Sequence, residues 1–402
     1  MKTVYLDNAA NTALDKKVLK AMKPFLNSKF VGNANAIHDY GIKAAQAIAK
    51  SREIVGNSFG IDPQNIIFTS GATESNNTAI KAVCMAELYS GKPKKDQKRH
   101  IVCSAIEHSS VINVCKQMEK LGFKVDYVQP NRSGRVDGLD VIPFITEKTL
   151  LVCEMAVNNE TGSFNTHLKE LFEETSQKGI YSLFDCTQYV SLGINKETFK
   201  TFKADFVSFS AHKINGPTGV GALLCSSQGL NCLKKNPLIM GGAQEFGLRG
   251  STSNTAGIVG LAKAVENEAK EDARPHFIML KSRLINLLQQ YEIPFQIHGG
   301  SPETSIVSLD LSQYFNDCEI ESLASILTAY GVAVSAGSAC DADHDETLGI
   351  FNPSHVLVAM GLTEKQIRAT IRISFGKKTS LKDIDRLVTQ IVQAHVDLCL
   401  LG

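Results

Sequence analysis

The chain has no excess of charge of either sign. Lys and Arg total 42 against 41 Asp and Glu, a formal net charge of +1 over 402 residues. That balance leaves no electrostatic case for direct binding of nucleic acid or of a membrane surface. No uninterrupted apolar run approaches the ~20 residues of a membrane-spanning helix. The opening Met1-Lys-Thr-Val-Tyr-Leu-Asp-Asn lacks the apolar core of a secretory signal. The expectation is a soluble, cytoplasmic protein. C-x-x-C pairs are missing among the 10 cysteines, so no zinc cage is suggested and no metal site is expected. Most of these cysteines lie in apolar runs, such as His100-Ile-Val-Cys103 and Leu150-Leu-Val-Cys153, and read as small core hydrophobes. The G-x-G-x-x-G and Walker A spacings are both absent, which argues against dinucleotide and ATP binding. Internal repeats and low-complexity segments are absent too.

What is present is ordinary globular composition, 43% hydrophobic and 21% charged, in a chain long enough for one large domain and a smaller one. Between about residues 15 and 260, short apolar runs alternate with helical patterns, the mark of βαβ units and a largely parallel sheet. Strands are expected at 66–69, 101–104, 124–128, 149–155, 181–185, 205–208 and 220–225, with helices at 74–88 and 111–121. The basic run from Lys92 to Arg99 reads as a solvated loop. A long helical stretch over 261–291 contains Pro275, which predicts a kink or break. Beyond it, strands at 305–311, 332–335 and 369–374, a helix at 318–330 stopped by Gly331, and a last helix opened by Ser380-Leu-Lys-Asp383 describe an α+β tail.

The segment Ala204-Asp-Phe-Val-Ser-Phe-Ser-Ala-His-Lys213 is an apolar strand ending in a turn that carries Ser210, His212 and Lys213. Open α/β sheets bind ligands at the carboxyl ends of their strands, and a lysine there can form a Schiff base with a carbonyl cofactor. Taken alone, a surface lysine after a core strand is an equal reading. Tyr181-Ser-Leu-Phe-Asp185 ends a second apolar strand in a carboxylate. Such a group is costly to bury unpaired, and the ring nitrogen of pyridoxal phosphate needs an aspartate of this kind. Helix capping is the bland alternative; Lys213 on a later strand favours the cofactor. Ile66-Ile-Phe-Thr-Ser-Gly71-Ala72-Thr73 is strand, glycine turn and helix start, a seat for phosphate. His108, after another strand end, suits stacking on a flat ring and moving protons, although a lone histidine is more often structural. The amides of Val157-Asn158-Asn159-Glu160-Thr-Gly162 suit a carboxylate or simply form a turn.

These segments, in order, resemble the class V aminotransferase family of pyridoxal-phosphate enzymes, and within it the NifS/IscS-type cysteine desulfurases. The resemblance also takes in Tyr5-Leu-Asp-Asn-Ala-Ala, Gly32-Asn with His38 and Gly41, Glu107-His108, Gln188, Gly241-Gly-Ala-Gln-Glu, Ser335-Ala-Gly-Ser-Ala-Cys340 and Ile371-Arg372-Ile-Ser, and covers nearly the whole chain. It implies the type I fold of pyridoxal-phosphate-dependent transferases. A large domain (15–260) would hold a mixed, mostly parallel sheet, and a smaller α+β domain (1–14 with 261–402) would carry the Cys340 loop. Lys213 would hold the cofactor and remove the substrate α-proton. Asp185 would pair with the ring nitrogen, Gln188 with the phenolic oxygen, and His108 would stack on the ring as an acid–base group. Ala72, Thr73, Ser210 and His212 would seat the phosphate, with Thr252 reaching the phosphate of the neighbouring subunit of a homodimer. Asn158 and Arg372 would bind the substrate carboxylate; an arginine fork suits that role.

Cys340 is the residue that separates desulfurases from their relatives. The residues after it, 341–353, are polar and acidic and read as an exposed loop. The resemblance makes its thiolate the attacker of the substrate sulfur, releasing L-alanine from L-cysteine and leaving a persulfide for a protein acceptor, an iron–sulfur scaffold being one candidate. Selenocysteine lyase or another class V lyase or aminotransferase is the alternative, and a sulfur carrier without turnover ranks below both. Asp341, Asp343, Asp345 and Glu346 disfavour a nearby thiolate, with His344 an offset. The chain departs from the family pattern at Cys186 (usually alanine), at Ala34 (usually proline) and in Arg249-Gly-Ser-Thr252. It stops short of the longer tail with which some members dock a scaffold. The long stretch after Cys340 still points to the iron–sulfur or tRNA-thiolation branch. Cys399 reads as a packing residue.

Overall fold

Apolar runs bounded by turn residues become the centre of the fold. A computed structural model of the chain describes residues 3–27, 29–316, 318, 320–337 and 353–401. Its strands, in chain order, are β1 (Val4–Tyr5), β2 (Ile66–Thr69), β3 (His100–Ser104), β4 (Lys124–Val128), β5 (Thr149–Met155), β6 (Tyr181–Asp185), β7 (Phe206–Ser210), β8 (Gly221–Cys225), β9 (Gln296–Ile297), β10 (Ile306–Asp310), β11 (Val332–Ala333) and β12 (Thr370–Ser374). Seven of them form one sheet in the order β2-β8-β7-β6-β5-β3-β4. All neighbours in it are parallel except β8, which runs antiparallel to both β2 and β7. This is an α/β fold on a mixed, mostly parallel sheet. Every residue of β5, Thr-Leu-Leu-Val-Cys-Glu-Met, is buried, as expected of a central parallel strand covered on both faces.

Strand alternation sends residues to two apolar layers. Ile101, Cys103, Leu151, Cys153 and Leu183 face one layer, with Val111 and Cys115 from the helix Ser109–Lys120. Val102, Val152, Phe184 and Val207 face the other, with Leu261 and Val265 from the helix Thr255–Glu268. A second sheet, β12-β10-β9, is antiparallel, and β1 pairs with β11 in parallel. The amino-terminal segment continues past β1 along β12, where Ser374 N donates to Leu6 O at 2.7 Å. It thereby delivers Asp7 and Ala9 to the edge of the large sheet.

The expected strands 66–69, 124–128, 149–155 and 181–185 coincide with the observed ones, and the others shift by one or two residues. The long stretch 261–291 resolves into two helices, Thr255–Glu268 and Arg274–Gln290. The expected kink or break is a break, and Pro275 sits just after it in the first turn of the second helix, where its missing N–H costs no bond. The helix expected from 318 to 330 is only Leu323–Ala329, capped at Ser322. Ser380 and Asp383 form the reciprocal cap anticipated for the last helix: Ser380 N donates to Asp383 Oδ2 at 2.8 Å, and Asp383 N donates to Ser380 Oγ at 3.4 Å. Of the nine described cysteines, seven are buried. Cys399 is not a packing residue; it is exposed near the end of the last helix, 3.6 Å from His395 Nε2. Among the described residues no helix is long and apolar enough to cross a membrane.

Candidate active site

Three strand ends and one helix start converge at the carboxyl edge of the large sheet. Chain polarity puts them there, because β5, β6 and β7 are parallel neighbours that end side by side. The turn after β7, Ala211–Lys213, carries His212 and Lys213 into a cavity. Asp185 and Gln188 enter it from the end of β6, His108 from the turn after β3, and Ala72 and Thr73 from the start of the helix Ala72–Leu88. Ser210 and Arg372 complete the set. Nine residues that the sequence singles out therefore share one cavity.

The helix start is built to receive an anion. Ala72 N donates to Ser210 Oγ at 2.7 Å, while Thr73 N is a first-turn amide with no partner in its own helix. β8 runs tightly beneath this turn: a Cβ on Gly221 would stand 2.6 Å from Gly71 Cα, so only glycine fits. His212 lies close by, and burial, helped by the charge of Lys213, lowers its imidazole to about 4. It is neutral at pH 7 and presents a single N–H.

Asp185 is buried and held by a polar chain. Its Oδ2 accepts from Asn76 Nδ2 at 2.8 Å and its Oδ1 from Thr187 N at 2.9 Å. Asn76 Nδ2 also donates to Ser110 Oγ at 2.9 Å, and that hydroxyl lies 2.8 Å from His108 Nδ1. Ser208 Oγ donates to Asn76 Oδ1 at 2.6 Å. Asp185 and His108 are thus oriented by one network. Behind it Glu107 is buried, its Oε1 accepting from Met155 N at 2.6 Å. Burial, reinforced by the charge of Asp185, pushes its carboxyl well above the usual range. Lys213 Nζ donates to Ala9 O and, at 2.9 Å, to Ala10 O.

Arg372 does not enter with an idle fork. Its Nη2 is 2.8 Å from Asp7 Oδ1 and 3.1 Å from Ser335 Oγ, and its Nη1 donates to Asn159 O at 3.0 Å. Among the described residues, its Nε has no partner. Asn158 is a correction. Its side chain is fully buried and committed to its own turn, with Oδ1 accepting from Glu160 N and Thr161 N at 2.9 Å and Nδ2 donating to Ile106 O at 2.9 Å. The cavity is lined by Asn159 instead. Thr252 is exposed and is not part of this cavity. Cys340 and residues 341–352 lie outside the described residues. Asp7, Asn76, Ser110, Asn159 and Ser208 are the site residues that the sequence did not single out. Asp7, Asn159 and Ser208 fall within the quoted motifs without being picked out.

A ligand is written into this cavity. Thr187, Asn159 and Arg372 line the cavity, and the buried atoms Thr187 Oγ1, Asn159 Oδ1 and Arg372 Nε have no hydrogen-bond partner among the described residues. Buried polar atoms are rarely left so. Together with a lysine, a buried aspartate and an anion-binding helix start, they fit a flat, polar, phosphorylated aldehyde. The class is that of pyridoxal-phosphate-dependent enzymes on an α/β sheet.

The family model "Aminotransferase class-V" matches residues 4–387, and the chain belongs to that family of pyridoxal-phosphate-dependent enzymes. It is 35% identical over 397 residues, 98% of this chain and 92% of the other, to a protein of Methanosarcina thermophila named cysteine desulfurase IscS. A solved NifS-like protein superposes with a TM-score of 0.81 at 32% identity, covering 99% of this chain and all of that one. A structure described as SspA in complex with cysteine superposes with a TM-score of 0.77 at 33% identity, covering 94% of this chain.

Proposed function

We propose that the chain is a pyridoxal-phosphate-dependent L-cysteine desulfurase. The observation that carries this reading is the shared cavity of Lys213 and Asp185 with its three partnerless polar atoms. Lys213 would hold the cofactor's carbonyl carbon, Asp185 its ring nitrogen and Gln188 its phenolic oxygen, and His108 would serve as the stacking and acid–base group. Ala72, Thr73, Ser210 and His212 would seat the phosphate. Bound pyridoxal phosphate supplies an electron sink for the pair left behind when the substrate α-proton departs. Lys213 takes that proton as general base. Arg372, steadied by Asp7, offers Nε to the substrate carboxylate, and Asn159 stands beside it.

The Cys340 thiolate then attacks the substrate sulfur. An S–S bond forms, the C–S bond breaks, and the carbon takes a proton, so that L-cysteine and one thiol become L-alanine and one persulfide. The persulfide passes to a protein acceptor of iron–sulfur assembly or tRNA thiolation in the cytoplasm. The active form is a homodimer in which Thr252 serves the phosphate of the other subunit, and the two-domain division at residue 261 gives the Cys340 segment its separate platform. The experiment is borohydride reduction of the loaded enzyme followed by peptide mapping. Fixation of the cofactor on Lys213, with loss of L-cysteine turnover by about 10²- to 10⁴-fold in Lys213→Ala, is the expected result. Fixation elsewhere would overturn the assignment.

A further inference from the structure

Lys213 forms part of two cavities. On one side is the cavity it shares with Asp185. On the other is a narrow crevice of 20 Å³ lined by Asn8, Thr12, Gln188, Asn215, Glu268 and Lys377. Its polar walls and that volume suit about one water molecule. Glu268, at the end of the helix Thr255–Glu268, is 2% exposed. Its Oε1 is 2.6 Å from Lys377 Nζ, while its Oε2 is buried with no partner among the described residues. A second, outward cleft of 570 Å³ opens between Tyr189, Ile194, Glu271 and Arg274, and among the described residues Glu268 is the one that lines both spaces. Glu268 therefore stands between the outer cleft and the crevice behind the catalytic lysine, with one carboxyl oxygen buried and unpartnered among the described residues.

We propose that Glu268 is the proton carrier of Lys213, exchanging protons with the lysine through a water in the crevice and with bulk solvent through the outer cleft. It acts through Lys213 and touches neither substrate nor cofactor, so it is a positioning residue. The proposal rests on the role of Lys213 as α-proton base. After Lys213 takes that proton, its ammonium gives one to the crevice water. The water gives one to Glu268 Oε2, whose lone pair becomes the O–H bond, and Glu268 then releases it to the outer cleft. No electron changes hands. The charges around Glu268 are Lys377, which follows β12, Glu271, which shares Lys377 at 2.8 Å, and Lys213 across the crevice. On the outer side stand Lys270, Asp272, Arg274 and Glu303. Burial raises the Glu268 carboxyl to about 7, Lys377 offsetting part of the effect. A carrier poised near the working pH both accepts and releases a proton.

The test has two readouts. In the cofactor-free full-length chain, infrared spectroscopy is expected to show a carboxylic-acid band that titrates near pH 7 and is missing from Glu268→Gln. In the enzyme loaded with pyridoxal phosphate, α-deuterium exchange into L-alanine in D2O is followed against pH by NMR. The parent rate rises through pH 7. Glu268→Gln loses that limb and falls about tenfold above it, and Glu268→Asp recovers the limb in part. A band or limb that survives in Glu268→Gln overturns the proposal, as does a parent that exchanges no deuterium with the cofactor fixed on Lys213. Normal exchange without alanine formation from L-cysteine sinks the desulfurase reading and leaves the proton carrier standing.

Discussion

Arg372 holds a carboxylate before any substrate arrives. Its contact with Asp7 at 2.8 Å, inside a site where the arginine is almost wholly buried, fixes the guanidinium plane and dilutes its charge. Lysine cannot reproduce contacts made from two nitrogens of one rigid fork, so Arg372→Lys is expected to raise KM for L-cysteine about tenfold or more, about 1.4 kcal/mol per factor of ten, with a smaller change in kcat. Steady-state kinetics decides this. His212 gives a pH prediction. Its folded value, lowered by burial to about 4, lies below the ordinary histidine value. Its contribution to stability is therefore full above the unfolded value and is lost as pH falls from about 6.5 to about 4. His212→Gln should flatten the stability curve over that window in denaturant titrations. At this scale the sequence marks Lys213 and Asp185 only as a pair, because each alone has a bland reading and it is their occurrence on two strand ends that favours the cofactor. It could not separate Asn158 from Asn159. Which of two neighbouring asparagines faces a cavity depends on which one closes the turn, and a turn closes through backbone amides that the sequence does not display. Glu268, near in space to Lys213 yet on a distant helix, carries no local signal at all.

Among the elements, the edge strand β2 leads directly into the anion-binding turn, and its position is held by an ion pair. Arg52 lies between the rings of Phe68 and Phe246, 4.7 and 5.0 Å from their centroids, and reaches both carboxylate oxygens of Glu245 at 2.8 Å. Glu245 Oε2 also accepts from Phe68 N at 2.9 Å, satisfying an outward amide of the edge strand. The backbone of Glu245 and Phe246 is left-handed, with φ of 47° and 59°, an unfavourable conformation repaid by this pairing. Glu245→Ala strands Arg52 in a buried position and is expected to cost about 3–5 kcal/mol, read by urea unfolding. The sequence marked the Gly241-Gly-Ala-Gln-Glu245 segment only through family likeness; its partner at residue 52 is invisible to local pattern. Strands were the more legible elements, since continuous β-branched and aromatic runs tolerate little else. Helix ends were less so, as the stretch expected as a helix from 318 to 330 shows by being only Leu323–Ala329.

At the scale of the whole molecule, the order of apolar runs and helical patterns was enough for the α/β class and a mostly parallel sheet. Ile37, Val31, Met240 and Phe246 are 95, 68, 78 and 58% exposed. Under the homodimer reading they are covered by the second subunit, and Thr252 is brought to the other cavity. Sedimentation should give a dimer, Ile37→Asp should weaken it, and Thr252→Ala should loosen pyridoxal phosphate in the dimer alone. A monomeric chain that binds the cofactor with full affinity would contradict this.

The central claim is sulfur removal through Cys340. It is tested most directly by L-alanine formation from L-cysteine with excess thiol, comparing the parent enzyme loaded with pyridoxal phosphate with Cys340→Ala. Alanine from the parent and none from the variant is the predicted result. Equal alanine from both would contradict a Cys340 persulfide and return the enzyme to the lyases of its family.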